Sequence, residues 1–177
     1  MGLDMASHSI RPNVDVAAGK QVLEQHLPRV LHFKQQTMEE LGWRLHSDRT
    51  LLVPMRGTDG GNVEEYLLRL DFLTGTAWPP SARFVNPETL DYQLNIDQHH
   101  LPKLTSQEVH MHPVYTSADG RSLQLICCSA VFQYYDVVHG GNDSILWRDT
   151  DTFLRTISAI ERALATHYAG RFERHAG

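Results

Sequence analysis

Apolar residues recur along this chain with two different periods, and the change of period marks its elements. From about residue 14 to residue 41 the apolar positions Val22, Leu23, Leu27, Val30, Leu31, Phe33 and Met38 fall three to four apart, the spacing of one helix face. Pro28 lies inside this region and is expected to kink or break it, because proline lacks the amide a helix interior needs. Alternation then takes over. "RTLLVPM" and "VEEYLLRLDF" read as two strands, and Asp59-Gly60-Gly61 between them reads as a hairpin turn. "ARFV" reads as a third strand ended by Asn86-Pro87, and residues 88 to 107 are polar and irregular. "EVHMHPVY" and the long run "SLQLICCSAVFQYYDVV" are strand-like on either side of Ala118-Asp119-Gly120. The helical period returns between Asp149 and Tyr168, where Phe153, Leu154, Ile157, Ile160 and Leu164 share a face. Asp149 or Thr150 can cap the start of that helix, and Gly170 can end it.

Helix, antiparallel strands, irregular crossover, helix is the order of an α+β layer fold. The length of 177 residues suits one domain with a sizeable core, spanning residues 1–177 with its packed part at about 14–168. The formal charge of -5 argues against a general nucleic-acid binder, since no basic run offsets the carboxylates. No segment reaches membrane-spanning length, and the polar opening "MGLDMASHSIRPN" has no apolar signal core. The expectation is a cytoplasmic protein in which thiols stay reduced.

The chain holds two cysteines, Cys127 and Cys128, adjacent in an apolar run. Neighbouring residues make a strained disulfide, so the choice lies between buried packing residues and a nucleophile. His110 and His112 flank Met111 and share a strand face, at a spacing a metal can use. With His99, His100, His139 and the cysteines they make a distant metal-binding alternative, although no Cys-x-x-Cys or His-Glu-x-x-His pattern supports it. Phosphate-cradling glycine loops and serine-hydrolase signatures are absent, so no cofactor and no metal is expected.

Four motifs in a fixed order give these residues a context. "GGNVEEYLLRLDF" places Tyr66, Leu68, Leu70 and Phe72 in phase after a Gly-Gly turn; "TAWPPSARF" supplies Trp78, Pro79, Pro80 and Phe84; "HMHPVY" precedes "DGRSLQLICC"; and Trp147 precedes the last helix. From Gly60 to Leu164 this order resembles the ubiquitin-conjugating enzyme family, in a variant similar to compact prokaryotic members. The resemblance implies an α+β fold of the family's type: an amino-terminal helix, an antiparallel meander of about four strands, and a carboxy-terminal helix behind the catalytic segment. It also implies a transferase that accepts a ubiquitin-like protein from an adenylating activating enzyme as a cysteine thioester and passes it to a target protein amine, with the amino-terminal helix meeting the activating enzyme. Three features depart from the family. Val114 stands where the family has the Asn that polarises the thioester carbonyl, the cysteines lie further from the His-Pro element, and "SAVFQYYDVVHGGNDSIL" is a longer insert.

On this resemblance Cys127 aligns with the catalytic cysteine. Strand parity points instead to Cys128, because Leu123 and Leu125 share a face with Cys127; a bulge near Ile126 would reconcile the two. Cys127 is the preferred nucleophile and Cys128 the alternative. His112, with Pro113, is expected to shape the floor of the groove. The missing oxyanion donor falls to Asn142, His139 or a backbone amide, and Asp143 with Asp136 is assigned to orient the incoming amine. A catalytically silent domain of the same type, binding a ubiquitin-like protein, is the alternative function.

Overall fold

The computed structural model describes residues 11–137 and 145–176. Its first helix, α1 (Val16–Lys34), begins at Asp15, whose carboxylate accepts from the Ala18 amide at 3.0 Å. That bond satisfies one of the amides a helix start leaves open. The helix runs on through Pro28 and ends where Gln35 turns left-handed at φ 54°. Pro28 therefore does not break it: Leu23 and His26 before the proline and Val30 after it all bury on one face, and that packing offsets the lost bond. The single helical region expected to reach Leu41 is instead two helices. Thr37 and Glu40 form a reciprocal capping box that starts α2 (Met38–Leu41), closed by left-handed Gly42.

Four strands follow in a meander: β1 (Arg44–Ser47), β2 (Thr50–Asp59), β3 (Asn62–Asp71) and β4 (Ser81–Val85), paired antiparallel in that order. The β2–β3 hairpin closes on Gly60 and Gly61, both at positive φ, with Asp59 opposite Asn62. That two-residue loop is the tight hairpin foreseen from Asp-Gly-Gly. Along β3 the alternation is realised: Tyr66, Leu68 and Leu70 are buried, and the residues between them are half-buried. After a 3₁₀ turn at Gln98–His100 come β5 (Pro102–Leu104), β6 (His110–Thr116) and β7 (Ser122–Cys127), then α3 (Phe132–Asp136), α4 (Leu154–Thr166) and β8 (Tyr168–Arg171). β6 pairs with β7 and β5 with β8 as separate two-stranded ladders.

Two expectations about the second half are overturned. The strand expected to continue to residue 138 stops at Cys127, and "FQYYD" is helical. Nor do Asp149, Thr150 and Gly170 bound the last helix: it starts after Phe153 without a side-chain cap, ends at His167, and Gly170 lies in β8. Packing decides that start, because Phe153 is fully buried and meets Phe72 edge-on at 5.5 Å and Trp43 at 5.9 Å. The amphipathic face of α4, with Ile157, Ile160 and Leu164, closes the core against the inner face of the sheet. Gly19 lets α1 join it, since a Cβ there would lie 2.0 Å from the Phe72 carbonyl oxygen.

One edge of β4 pairs with β3; the other meets no strand among the described residues. Two buried glutamines cover it. The Gln124 amide on β7 accepts from the Phe84 N–H and donates to the Phe84 carbonyl, both at 2.8 Å. Gln133 on α3 accepts from the Ala82 N–H and donates to the Ser81 hydroxyl. Backbone groups out of reach of water need partners, and these side chains supply them while fixing β7 and α3 against the sheet.

Candidate functional site

The β6–β7 ladder sets the geometry around the cysteines. Its register pairs His110 with Cys127, Met111 with Ile126 and His112 with Leu125, then shifts between His112 and Tyr115. The shift is a bulge at Pro113 and Val114. A proline cannot donate to a ladder, so a bulge is where a strand tolerates one. The bulge re-aims Val114, which is 41% exposed. Tyr92 anchors it from the preceding loop, donating to the Pro113 carbonyl at 2.8 Å. Burial raises the Tyr92 phenol to about 12, so it stays a donor at neutral pH.

Directly opposed residues of an antiparallel pair share a face, so Met111 and Ile126 lie together, and Cys128 follows Ile126 on that side. All three belong to the hydrophobic core. Cys128 is completely buried, and the Ala130 amide donates to its sulfur at 3.4 Å. The opposite face carries Cys127, which is half-buried, together with exposed His110 and half-buried His112. The bulge expected near Ile126 is on the partner strand, and parity from Leu123 and Leu125 misleads because Leu125 and Ile126 are both fully buried. Of the two thiols only Cys127 reaches solvent, and neither forms a disulfide.

Cys127 ends β7. The chain then turns tightly, with the Val131 amide donating to the Cys128 carbonyl at 3.0 Å, and enters α3. Ala130 is held from behind by the Thr156 hydroxyl of α4, donating to its carbonyl at 2.7 Å. On the neighbouring strand the His110 and His112 rings are 4.6 Å apart, and His112 lies 5.6 Å from the Tyr115 ring. Side chains directly opposite on antiparallel strands have Cβ atoms roughly 4.5–5.5 Å apart, which puts an imidazole at position 110 within reach of a thiol at 127. The residues leading into His110, Ser106 to Val109, form one wall of an open groove of about 790 Å³, and α4 forms the other.

His112 lies on the face of Cys127 but two residues along, opposite Leu125. His110, weighed in the sequence as a structural, solvent-facing residue or a metal ligand, takes the position opposite the thiol; periodicity put it on one face with His112, but only the register identifies its partner. Asp136 commits its carboxylate to Arg121 at 2.9 Å, so it is a structural ion pair rather than an open group for orienting an amine. His139, Asn142 and Asp143 lie outside the described residues. Tyr135 is a packing residue: it stacks near Trp78 at 5.0 Å and donates to the Ser129 carbonyl. Among the described residues no group of three His, Cys, Asp or Glu side chains is arranged to hold a metal ion, and no helix is long and apolar enough to cross a membrane. No family model, no curated protein and no solved structure matches this chain.

Proposed function

We propose that this protein is a ubiquitin-conjugating-type transferase. The Cys127 thiolate attacks the thioester that links a ubiquitin-like modifier to its activating enzyme, expelling that enzyme's thiolate. A target amine then attacks the Cys127 thioester; the amide forms, the Cys127 thiolate leaves, and the amine proton passes to a base. His110 is the side chain proposed for that base. The observation that carries this reading is the solvent-reaching Cys127 at the end of β7, directly across the ladder from a histidine. An ordinary thiol is already a few per cent thiolate at neutral pH, and thioester exchange needs little more. The groove between Ser106–Val109 and α4 has room for an extended polypeptide tail.

A second reading has its own observation. Val114 offers no side-chain donor to a tetrahedral oxyanion and stands exposed on the bulge, which favours a catalytically silent domain that binds a ubiquitin-like protein. The test is intact-mass and non-reducing gel analysis after incubation with a candidate ubiquitin-like protein, its activating enzyme and ATP. A thiol-sensitive adduct, lost in Cys127→Ala and kept in Cys128→Ala, is the expected result. With a demonstrably charged activating enzyme, no adduct at all turns the reading to the silent domain.

A further inference from the structure

Two of the turns that punctuate this chain carry the same dipeptide. Asp59-Gly60 opens the two-residue loop of the β2–β3 hairpin, and Asp119-Gly120 lies in the turn of the β6–β7 hairpin. Aspartate before glycine is a reactive pair. The glycine amide nitrogen attacks the carbon of the neighbouring side-chain carboxyl; its N–H proton is lost, a carboxyl oxygen leaves as water, and a five-membered succinimide closes. Water then reopens the ring. Attack at one carbonyl restores aspartate, and attack at the other gives isoaspartate, whose backbone runs through the former side chain. Nothing is oxidised or reduced, and water is the sole co-reactant. Glycine favours the closure because no Cβ hinders the approach of its nitrogen.

The fold treats the two pairs differently. At Asp119 both reacting groups are engaged. Its carboxylate accepts from the Ser117 hydroxyl, from Arg121 Nε at 3.0 Å and from Arg11 at 3.2 Å. The Gly120 amide donates to the Ser117 carbonyl at 2.9 Å. Closure runs through the neutral carboxyl, since an ionised carboxylate has no good leaving group. The Ser117 hydroxyl first, then the Arg121 amide and charge, hold the Asp119 carboxyl down at about 2. Asp59 has none of these restraints. Among the described residues no hydrogen bond or ion pair holds its carboxylate, and the Gly60 amide has no partner. Asp59, Gly60 and Gly61 are all exposed, and a Cβ built on either glycine would meet nothing within 4 Å, so the amide has room to swing onto the carboxyl. We propose that Asp59 is a site of spontaneous isoaspartate formation and that the fold protects Asp119 from the same reaction. The product adds one methylene to the backbone of a loop with no slack, because Asp59 opposes Asn62 across Gly60 and Gly61, both at positive φ. The tip of the hairpin then opens. Further down, the β2–β3 ladder is anchored by buried Tyr66, Leu68 and Leu70 and keeps its pairing.

The experiment ages the intact protein, warm and at mildly acidic pH, in water enriched in heavy oxygen, and then maps its peptides. Isoaspartate elutes apart from aspartate, resists an endoproteinase that cuts before aspartate, and, when formed through the succinimide, carries one heavy oxygen. Circular dichroism confirms that the protein stays folded during ageing. Isoaspartate is expected to accumulate at Asp59, with at least about tenfold less at Asp119, whose neutral carboxyl is scarce. In urea both sites react at similar rates, because each is then a plain Asp-Gly peptide. Asp59→Glu removes the signal from that loop, since its ring would need six members. No isoaspartate at Asp59 in the aged wild type overturns the proposal. So does a comparable yield at Asp119 in the folded protein, or an Asp119 that stays unreactive in urea, which would trace its protection to local sequence rather than to the fold.

Discussion

Replacing Gln124 with leucine keeps the volume of the side chain and removes both of its polar atoms. In the folded protein the Phe84 N–H and C=O, on the edge of β4 away from β3, lose their Gln124 partners, each held at 2.8 Å, in a region where Phe84 is fully buried and Gln124 is 3% exposed. Leaving a buried backbone donor or acceptor unsatisfied costs about 1–3 kcal/mol, so the two together cost about 2–6 kcal/mol. The apolar gain of a buried leucine offsets about 1–2 kcal/mol of that, leaving a net loss of about 2.5 kcal/mol at the middle of these ranges. Against a total stability of about 5–15 kcal/mol for a domain, the loss is readily measured. Urea denaturation followed by circular dichroism gives the free-energy change, and native-state hydrogen exchange at Phe84 gives the local one. The Phe84 amide is expected to exchange at least about tenfold faster in Gln124→Leu, because its bond to the side chain is gone. Unchanged stability together with unchanged Phe84 exchange would refute the idea that side-chain amides seal this edge. The result also bears on the thiol, since Gln124 tethers the strand that ends in Cys127.

Three further predictions follow the same physical lines. In the folded protein a thiol reagent should label one cysteine quickly, and peptide mapping should place it at Cys127; Cys128 should react only on unfolding, and equal labelling of both would contradict the buried position of Cys128. Gly57→Ala should destabilise by about 1–3 kcal/mol, because the new Cβ would sit 2.6 Å from the Tyr168 ring, and the cost should shrink in the Tyr168→Ala background; two additive penalties would show the clash is not the cause. His26 is buried in α1 with no hydrogen-bond partner at Nδ1 among the described residues, and burial followed by the Arg29 charge lowers its pKa below 6.5. The unfolded chain therefore takes up this proton first, so the His26 contribution is complete above about pH 6.5 and is lost as pH falls below it. Thermal melts from neutral to acidic pH should show the gap between His26→Leu and wild type moving in favour of the variant as acid is added, and parallel curves would sink the assignment.

Local sequence carried the elements whose signals are local. The alternation of Tyr66, Leu68, Leu70 and Phe72 and the Gly60-Gly61 turn specify a hairpin without help, because a period of two with a turn permissive for positive φ has one low-energy arrangement. The apolar face of α4 was equally plain, but its start was not, since no capping residue begins it and the burial of Phe153 does. Pro28 carried a strong local veto on the helix, and packing of Leu23, His26 and Val30 overrode it. The "FQYYD" segment reads as strand by residue preference and folds as helix, because Gln133 must reach back to Ala82 and Tyr135 to Ser129.

The candidate site divides along the same line. That Cys127 and Cys128 point to opposite faces of their strand, and that His110 shares a face with His112, was legible from a period of two. Which thiol is open depends on which face of the β6–β7 hairpin the core covers, and which histidine opposes it depends on the bulge at Pro113 and Val114. Both are register decisions made between strands, set by contacts with α4, β4 and the loop carrying Tyr92.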